Sequence, residues 1–363
     1  MSLNLATLDT ASLAEEARRQ IEICNACRYC EGFCSVFPAM TRQKSFADGD
    51  LTHLANLCHN CRGCYYSCQY TEPHEFDLNL PAALAEVRQD SWERFVGPAP
   101  VARTFQQNGM VLMLSMVAGI GVLFWLIASL RPTSGEGFYA FLSHNAMVAL
   151  FAPAFLLPLA AVAVGLVRYW REVGAGRLAI RHVVGACAQV ANMRNLGGGQ
   201  GQGCNFEVED RYSNARRYFH QAVMYGFLLC FAATSVATIL HYVFGWQAPY
   251  GLLTPPKLLG VPGGILLVVG TIGLAWLKTK ADKKLGAVRA WGGEMAFIAL
   301  LGFVAASGLA LYAATGSHLV SPMLAVHLGA VLTFFLLLPY TKMVHGFFRL
   351  AALLAEETKK KTA

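Results

Sequence analysis

The chain has 363 residues, of which 55% are hydrophobic and 14% charged, with a net charge of +7 and a mean hydropathy of +0.42. Soluble domains usually carry about 25% charged residues, so an ordinary soluble enzyme is excluded. The charge is split: residues 1–100 hold 8 Lys/Arg against 13 Asp/Glu and residues 101–363 hold 21 against 9, and the basic residues lie between apolar runs without a nucleic-acid-binding motif, which excludes that partner too.

Residues 1–23 lack the apolar core of an export signal. They read as a short amphipathic helix with Leu13, Ala17 and Ile21 on one face and Thr10 or Ser12 as its cap. Eight of the 11 cysteines follow within residues 24–68. A disulfide framework would need an oxidising compartment. In a reducing cytosol, cysteines at close regular spacing read as metal ligands.

The cysteines form two blocks. Cys24, Cys27, Cys30 and Cys34 have the spacing C-x2-C-x2-C-x3-C, and Cys58, Cys61, Cys64 and Cys68 repeat it with an offset of 34 residues. This is the spacing of two-cluster bacterial ferredoxins, in which the fourth cysteine of each block crosses to the other cluster. Three thiolates at three-residue intervals wrap one side of an iron–sulfur cube, and the fourth ligand comes from elsewhere in the chain. The expected sets are Cys24, Cys27, Cys30 and Cys68 for one [4Fe–4S] cluster, and Cys58, Cys61, Cys64 and Cys34 for the other. Structural zinc also uses Cys-x2-Cys pairs, but seldom a third cysteine at the same interval, twice. One feature departs from the ferredoxin pattern: Ser35 and Gln69 stand where ferredoxins have proline after the fourth cysteine. Cys187, Cys204 and Cys230 have no partner by spacing. His53, His59 and His74 flank the blocks; His59 is either a donor to a cluster sulfur or a surface residue.

Residues 1–95 therefore form the cluster domain. Residues 96–109 read as a linker, because Pro98 and Pro100 interrupt any helix. Six apolar segments follow, at roughly 110–130, 145–167, 219–244, 261–277, 294–314 and 322–341. Each approaches the length of about 20 residues needed to cross hydrocarbon; the fourth is the shortest and opens with Pro262. Backbone groups in lipid must be satisfied within the segment, so these are helices. With the N-terminal domain inside, the inner segments 168–217, 278–290 and 342–363 carry 8, 5 and 5 Lys/Arg, and the outer loops 131–143, 242–260 and 315–321 carry 1, 1 and 0. The positive-inside rule then places both termini in the cytoplasm. The fold class is mainly α: a two-cluster ferredoxin-like helical domain plus a six-helix transmembrane bundle (residues 110–345), closed by a cytoplasmic tail (346–363). The inner loop 169–218 contains the run Gly197-Gly198-Gly199-Gln200-Gly201-Gln202-Gly203-Cys204. It does not match the dinucleotide fingerprint and no apolar strand precedes it. It reads as a docking loop, and the chain shows no flavin or nicotinamide site of its own.

Ionisable residues within a membrane are functional candidates by default. His220 and His241 stand near the ends of the third apolar segment, and His327 and His345 near those of the sixth. The two helices run in opposite directions. His220 can meet His345 at the inner side, and His241 can meet His327 at the outer side, with His144 or His318 as substitutes. Histidines facing each other from two helices make a site for b-type haem, so one or two haems are expected.

The stretches CNACRYCEGFCSVFPAM, LCHNCRGCYYSCQYTEPHEFDLNLP, GGGQGQGCNFE, FHQAVMYGFLLCFAATSVATILHY and HLGAVLTFFLLLPYTKMVHGFFR resemble the tricarballylate utilization protein B (CitB-type) family over nearly the whole chain. The membrane half is also similar in pattern to the haem-bearing gamma subunit of respiratory nitrate reductase. The resemblance implies a partner, the flavoprotein tricarballylate dehydrogenase, which oxidises tricarballylate to cis-aconitate. It also implies that a protein of this type reoxidises the partner's flavin and passes electrons to quinone in the bacterial inner membrane. No residue here is needed as a nucleophile or general base. Three rivals remain on sequence: the same electron module serving another organic-acid dehydrogenase, a transporter with a cluster-bearing regulatory domain, and a membrane scaffold with structural zinc. Transporters tend to show broken helices and inverted repeats, and no such repeat is visible.

Overall fold

A computed structural model describes residues 9–130, 141–198, 201–205 and 211–360. Helix α1 (Thr10–Cys27) is capped by Asp9, whose side chain accepts from the Ser12 amide at 2.8 Å. The cap is thus one residue before the expected Thr10, because a carboxylate satisfies the free amides of the first turn. Leu13, Ala17 and Ile21 are buried together, as their spacing requires. Short helices α2 (Val36–Thr41), α3 (Asp48–Leu57) and α4 (Gly63–Tyr66) surround the cysteine blocks. Helix α5 (Leu80–Val96), capped by Asn79, runs through the centre and is buried on almost every side.

Two breaks differ from the sequence expectation. The proposed linker is mostly helical: only Gly97 and Pro98 separate α5 from α6 (Ala99–Leu130). The two prolines sit at the helix start, where the missing N–H would have had no partner anyway. Helix α6 has 32 residues, kinked at Asn108, so its first turns extend below the apolar stretch. The second break lies in the sixth span. Helix α12 (Val320–Leu337) ends in a short 3-10 turn, Leu338–Tyr340, around Pro339, and the chain re-enters a helix only at α13 (Val344–Lys359). His327 and His345 therefore do not share one helix. The presumed tail is α13, whose Val344, Phe348, Ala352 and Ala355 are buried against the cluster domain.

The remaining spans are α7 (His144–Glu172), α9 (Ala215–Phe244), α10 (Pro255–Lys280) and α11 (Trp291–Ala313), with the amphipathic α8 (Ile180–Ala191) between α7 and α9. Six helices are long and apolar enough to cross a membrane, the short fourth segment among them as part of α10. Helices α9 and α10 approach at glycines: a Cβ on Gly226 would stand 2.8 Å from the Gly263 carbonyl. Small residues permit such backbone contact where lipid offers no hydrophobic drive.

The cluster domain is tied to one end of the bundle by buried ion pairs. Arg289, just before α11, binds Glu86 at 2.7 Å and Glu93 at 3.1 Å; the two carboxylates are 2% and 1% exposed. Glu356 of α13 accepts from Arg42 at 2.7 Å and lies 3.3 Å from His53. Glu172 at the end of α7 takes Thr52 and Arg94. A separate tethered domain would not bury such groups; here two parts share one core.

Candidate cofactor sites

The two cysteine blocks share one turn on different backbones: Cys24 and Cys27 end helix α1, whereas Cys58 and Cys61 lie outside any helix and Cys64 lies in α4. Each second cysteine is followed by an arginine in the left-handed region, Arg28 at φ 58° and Arg62 at φ 67°. That turn swings the third cysteine back toward the first. The blocks also exchange members. Cys24, Cys27, Cys30 and Cys68 line one cavity of about 240 Å³, the outer group. Cys34, Cys58, Cys61 and Cys64 line a smaller adjoining one, the inner group, and Cys64 borders both. Among the described residues no three metal-binding side chains converge on a point that would hold a single ion. A tetrahedral zinc site draws its sulfurs to about 2.3 Å from one centre, whereas these thiols surround a space.

The donor set fits an iron–sulfur cube in two respects. First, backbone amides already point at the sulfurs: Asn60 donates to Cys58 Sγ at 3.4 Å and Tyr70 to Cys68 Sγ at 3.3 Å. Hydrogen bonds of this kind tune cluster potential. Second, burial pushes the Cys24 and Cys30 thiols up to about 12, and neighbouring thiols push the same way. Cys34 and Cys64 are raised well above the ordinary range for the same reasons. A cationic core bound among them would deprotonate the coordinating thiols outright.

Three arginines collar the inner group. Arg88 donates to the Cys58 carbonyl at 2.7 Å, Arg349 donates to the same oxygen, and Arg216 donates to the Asn60 carbonyl at 2.7 Å. Arg216 is four residues before His220 on α9, and Arg349 four residues after His345 on α13. Four residues is about one helical turn, roughly 6 Å. The expected inner histidines thus lie one turn beyond the groups that touch the inner cysteines, and their rings do meet, with centroids 5.7 Å apart at 82°. Two imidazoles on one metal, each bonded at about 2 Å, put ring centroids on the order of 6 Å apart. His345 Nδ1 faces the Lys342 carbonyl, which fixes that ring as ligating histidines are commonly fixed. His220 Nδ1 is buried without a hydrogen-bond partner. The pair fits a haem iron.

The outer pair differs from the expectation. His241 does not meet His327; it stacks on His144 with centroids 4.3 Å apart, and His144 Nε2 lies 2.9 Å from the Tyr242 hydroxyl. His327 turns to Ser307, 3.0 Å away, beside Gly308. The reason is packing: α12 lies against α6 and α11, while α9 lies along α10, with the start of α7 beside its outer end.

No solved structure gives a significant match to the chain. A family model described as Citrate utilization protein B matches residues 102–363, and one described as Citrate utilization protein B Fer4-like domain matches residues 17–93. A relative from Escherichia coli, Citrate utilization protein B, is 41% identical over 352 residues, covering 95% of this chain and 92% of that one. The chain belongs to the citrate utilization protein B family. Its Fer4-like domain gives this family member an iron–sulfur electron-transfer role, and its six long apolar helices are compatible with a multi-pass membrane protein.

Sequence reasoning missed several residues of this family member's site. The arginine collar carries no local signal, since Arg88, Arg216 and Arg349 are far apart in sequence. His59 is half-buried and lines the inner cavity, with Nδ1 2.8 Å from the Leu57 carbonyl. His53 is buried between Tyr169 and Glu356, and His74 Nδ1 accepts from the Phe76 amide. The presumed docking loop carries structure too: α8, a 3-10 turn at Arg194–Leu196 and a bridge between Cys204 and Ser213.

Proposed function

We propose that this protein is the membrane-bound electron acceptor of a soluble FAD-dependent dehydrogenase, resembling tricarballylate dehydrogenase, and the donor to membrane quinone. Cys24, Cys27, Cys30 and Cys68 would hold an outer [4Fe–4S] cluster, and Cys34, Cys58, Cys61 and Cys64 an inner one. His220 and His345 would hold a haem b. His144 and His241 replace His241 and His327 as the candidates for a second haem, though their rings must part to admit one. When bound, these groups supply one-electron carriers in series between a two-electron flavin and a two-electron quinone.

The chain's own residues position and insulate. Tyr29, at 70% exposed, and Cys27 leave the outer group open to a partner. Phe33, Phe37 and Leu84 close off the inner group. Arg88, Arg216 and Arg349 offset the negative charge of four thiolates around it. The end of the bundle that carries the cluster domain also carries the basic loops, so we assign it to the cytoplasm of the bacterial inner membrane, with both termini there.

The observation that carries the reading is the junction: one turn of α9 and one turn of α13 link the inner cysteines to a facing histidine pair. The test uses full-length protein purified from membranes without oxygen. Reduction by the flavoprotein partner should produce a b-type haem band, and added quinone should discharge it. A protein with no haem band, or one reduced haem that quinone leaves unchanged, contradicts the reading.

A further inference from the structure

Helix α8 neither spans the bundle nor belongs to the cluster domain, and its two faces differ. His182 and Ala186 are buried, and Gln189 donates to the Glu357 carboxylate of α13 at 3.0 Å. On the opposite side Ile180, Val184, Cys187, Ala188 and Ala191 follow the spacing of one helical face. All five are exposed, Ile180 at 79% and Val184 at 62%. A contiguous apolar stripe of this kind marks a surface that is covered in the working protein. Its position says by what. Arg217 of α9 donates to the Asn192 carbonyl at 2.7 Å, and the Tyr225 hydroxyl donates to the Ala191 carbonyl at 2.8 Å. Tyr225 lies eight residues beyond Arg217, about 12 Å along the axis, and inside the apolar stretch of α9. Helix α8 thus ends at the level where α9 passes from polar to apolar. Tyr218 and Tyr225 are exposed at that level, where aromatic side chains mark a membrane boundary. The charge fits as well: residues 173–204 contain Arg177, Arg181 and Arg194, all exposed, and no Asp or Glu.

We propose that α8 is an interfacial helix whose apolar stripe lies in the cytoplasmic leaflet, with Arg177 and Arg181 binding the headgroups of anionic phospholipids. This rests on the reading that this end of the bundle faces the cytoplasm. An amphipathic helix of this kind lies in the membrane plane with its apolar face among the upper acyl chains. Arg181 borders the stripe and Arg177 precedes it, so their stems run along the lipid while the guanidinium groups reach the phosphates. Each basic residue near an anionic surface favours it about fivefold. The lipid contact braces α13, which α8 grips through Glu357 and which carries His345.

The experiment places a spin label on Cys187 of the full-length holoprotein, with C230S removing the thiol of α9, in vesicles of phosphatidylcholine and phosphatidylglycerol. A second label, at K360C in a C187S/C230S background, reports water at the exposed end of α13. Oxygen concentrates in lipid and a nickel chelate stays in water. At Cys187 oxygen should relax the label more than nickel does, and at K360C the order should reverse. In vesicles of phosphatidylcholine alone, and in R177Q/R181Q, nickel should reach Cys187 severalfold more often. A Cys187 label that nickel reaches as freely as the K360C label overturns the proposal, and protection of that label by added flavoprotein would give the stripe to the partner instead. Unchanged depth in neutral vesicles and in R177Q/R181Q overturns the choice of anionic lipid. Modification of K360C by an impermeant maleimide outside intact cells would sink the cytoplasmic assignment itself, whatever the depth at Cys187.

Discussion

The two ends of the bundle each bring two histidines together, and they do so in different surroundings. At the cluster-domain end, His220 and His345 stand 5.7 Å apart, with arginines one turn away that reach the cysteine loops. At the far end, His144 and His241 stack at 4.3 Å beside Tyr242, remote from any cysteine block. The residue types match, but spacing and neighbours do not. A histidine pair becomes a cofactor site through the room left between its rings and through what holds each ring in place. By both criteria the inner pair suits the proposed haem better than the outer pair does.

The largest effect that would break this comparison is at the ligands. Cys34→Ala should remove the inner cluster and leave the outer one, a loss of about four irons per chain, read as iron and acid-labile sulfide. Loss from the outer group alone would overturn the crossed assignment. Next, His220→Ala or His345→Ala should abolish the inner haem band in reduced-minus-oxidised spectra, whereas His327→Ala should leave every haem band in place. His241→Ala should affect at most a second band. Equal loss from His327→Ala would restore the pairing that the packing argues against.

A smaller effect concerns the joint between the halves. Arg289→Ala leaves Glu86 buried without its cation and Glu93 with Arg103 alone. Removing one partner of a buried pair costs about 3 kcal/mol or more, so thermal unfolding in detergent should fall and the cluster domain should become protease-sensitive. Unchanged melting would show that the joint is not held there.

The smallest effect is pH. Burial lowers the His53 pKa, opposed by Glu356, so the folded protein favours the neutral ring. The unfolded chain takes up the proton near 6.5. Stability is therefore full above that value and falls as pH drops below it. Glu356 is held below the ordinary carboxylate range by His53 and Arg42 despite its burial, and it acts in the same direction at lower pH. His53→Gln should flatten the decline between pH 7 and 5; an unchanged slope would place the titration elsewhere.

Much of this was legible in the sequence for physical reasons. Eight cysteines at a fixed interval state their own geometry, and apolar runs of about 20 residues state theirs. His220 and His345 were legible as an inner pair from helix direction alone. The rest depended on packing. Pro339 is a local signal for the end of α12, but nothing local showed that His345 would pass to a separate helix whose far side grips the cluster domain through Glu356. Which helices are neighbours decided that His241 meets His144, and periodicity carries no information on neighbours. The glycine run read as a loose loop because its ordering bonds are not local: Cys204 pairs with Ser213, and the next residue, Asn205, donates to the Cys61 carbonyl about 140 residues earlier.

The central claim is that two thiolate groups and a histidine pair form one line of electron carriers. Iron, acid-labile sulfide and haem measured together on anaerobically purified full-length protein test it most directly. The account predicts about eight cluster irons with matching sulfide, plus haem b. Zinc in place of iron, or a colourless and iron-free protein, would contradict it.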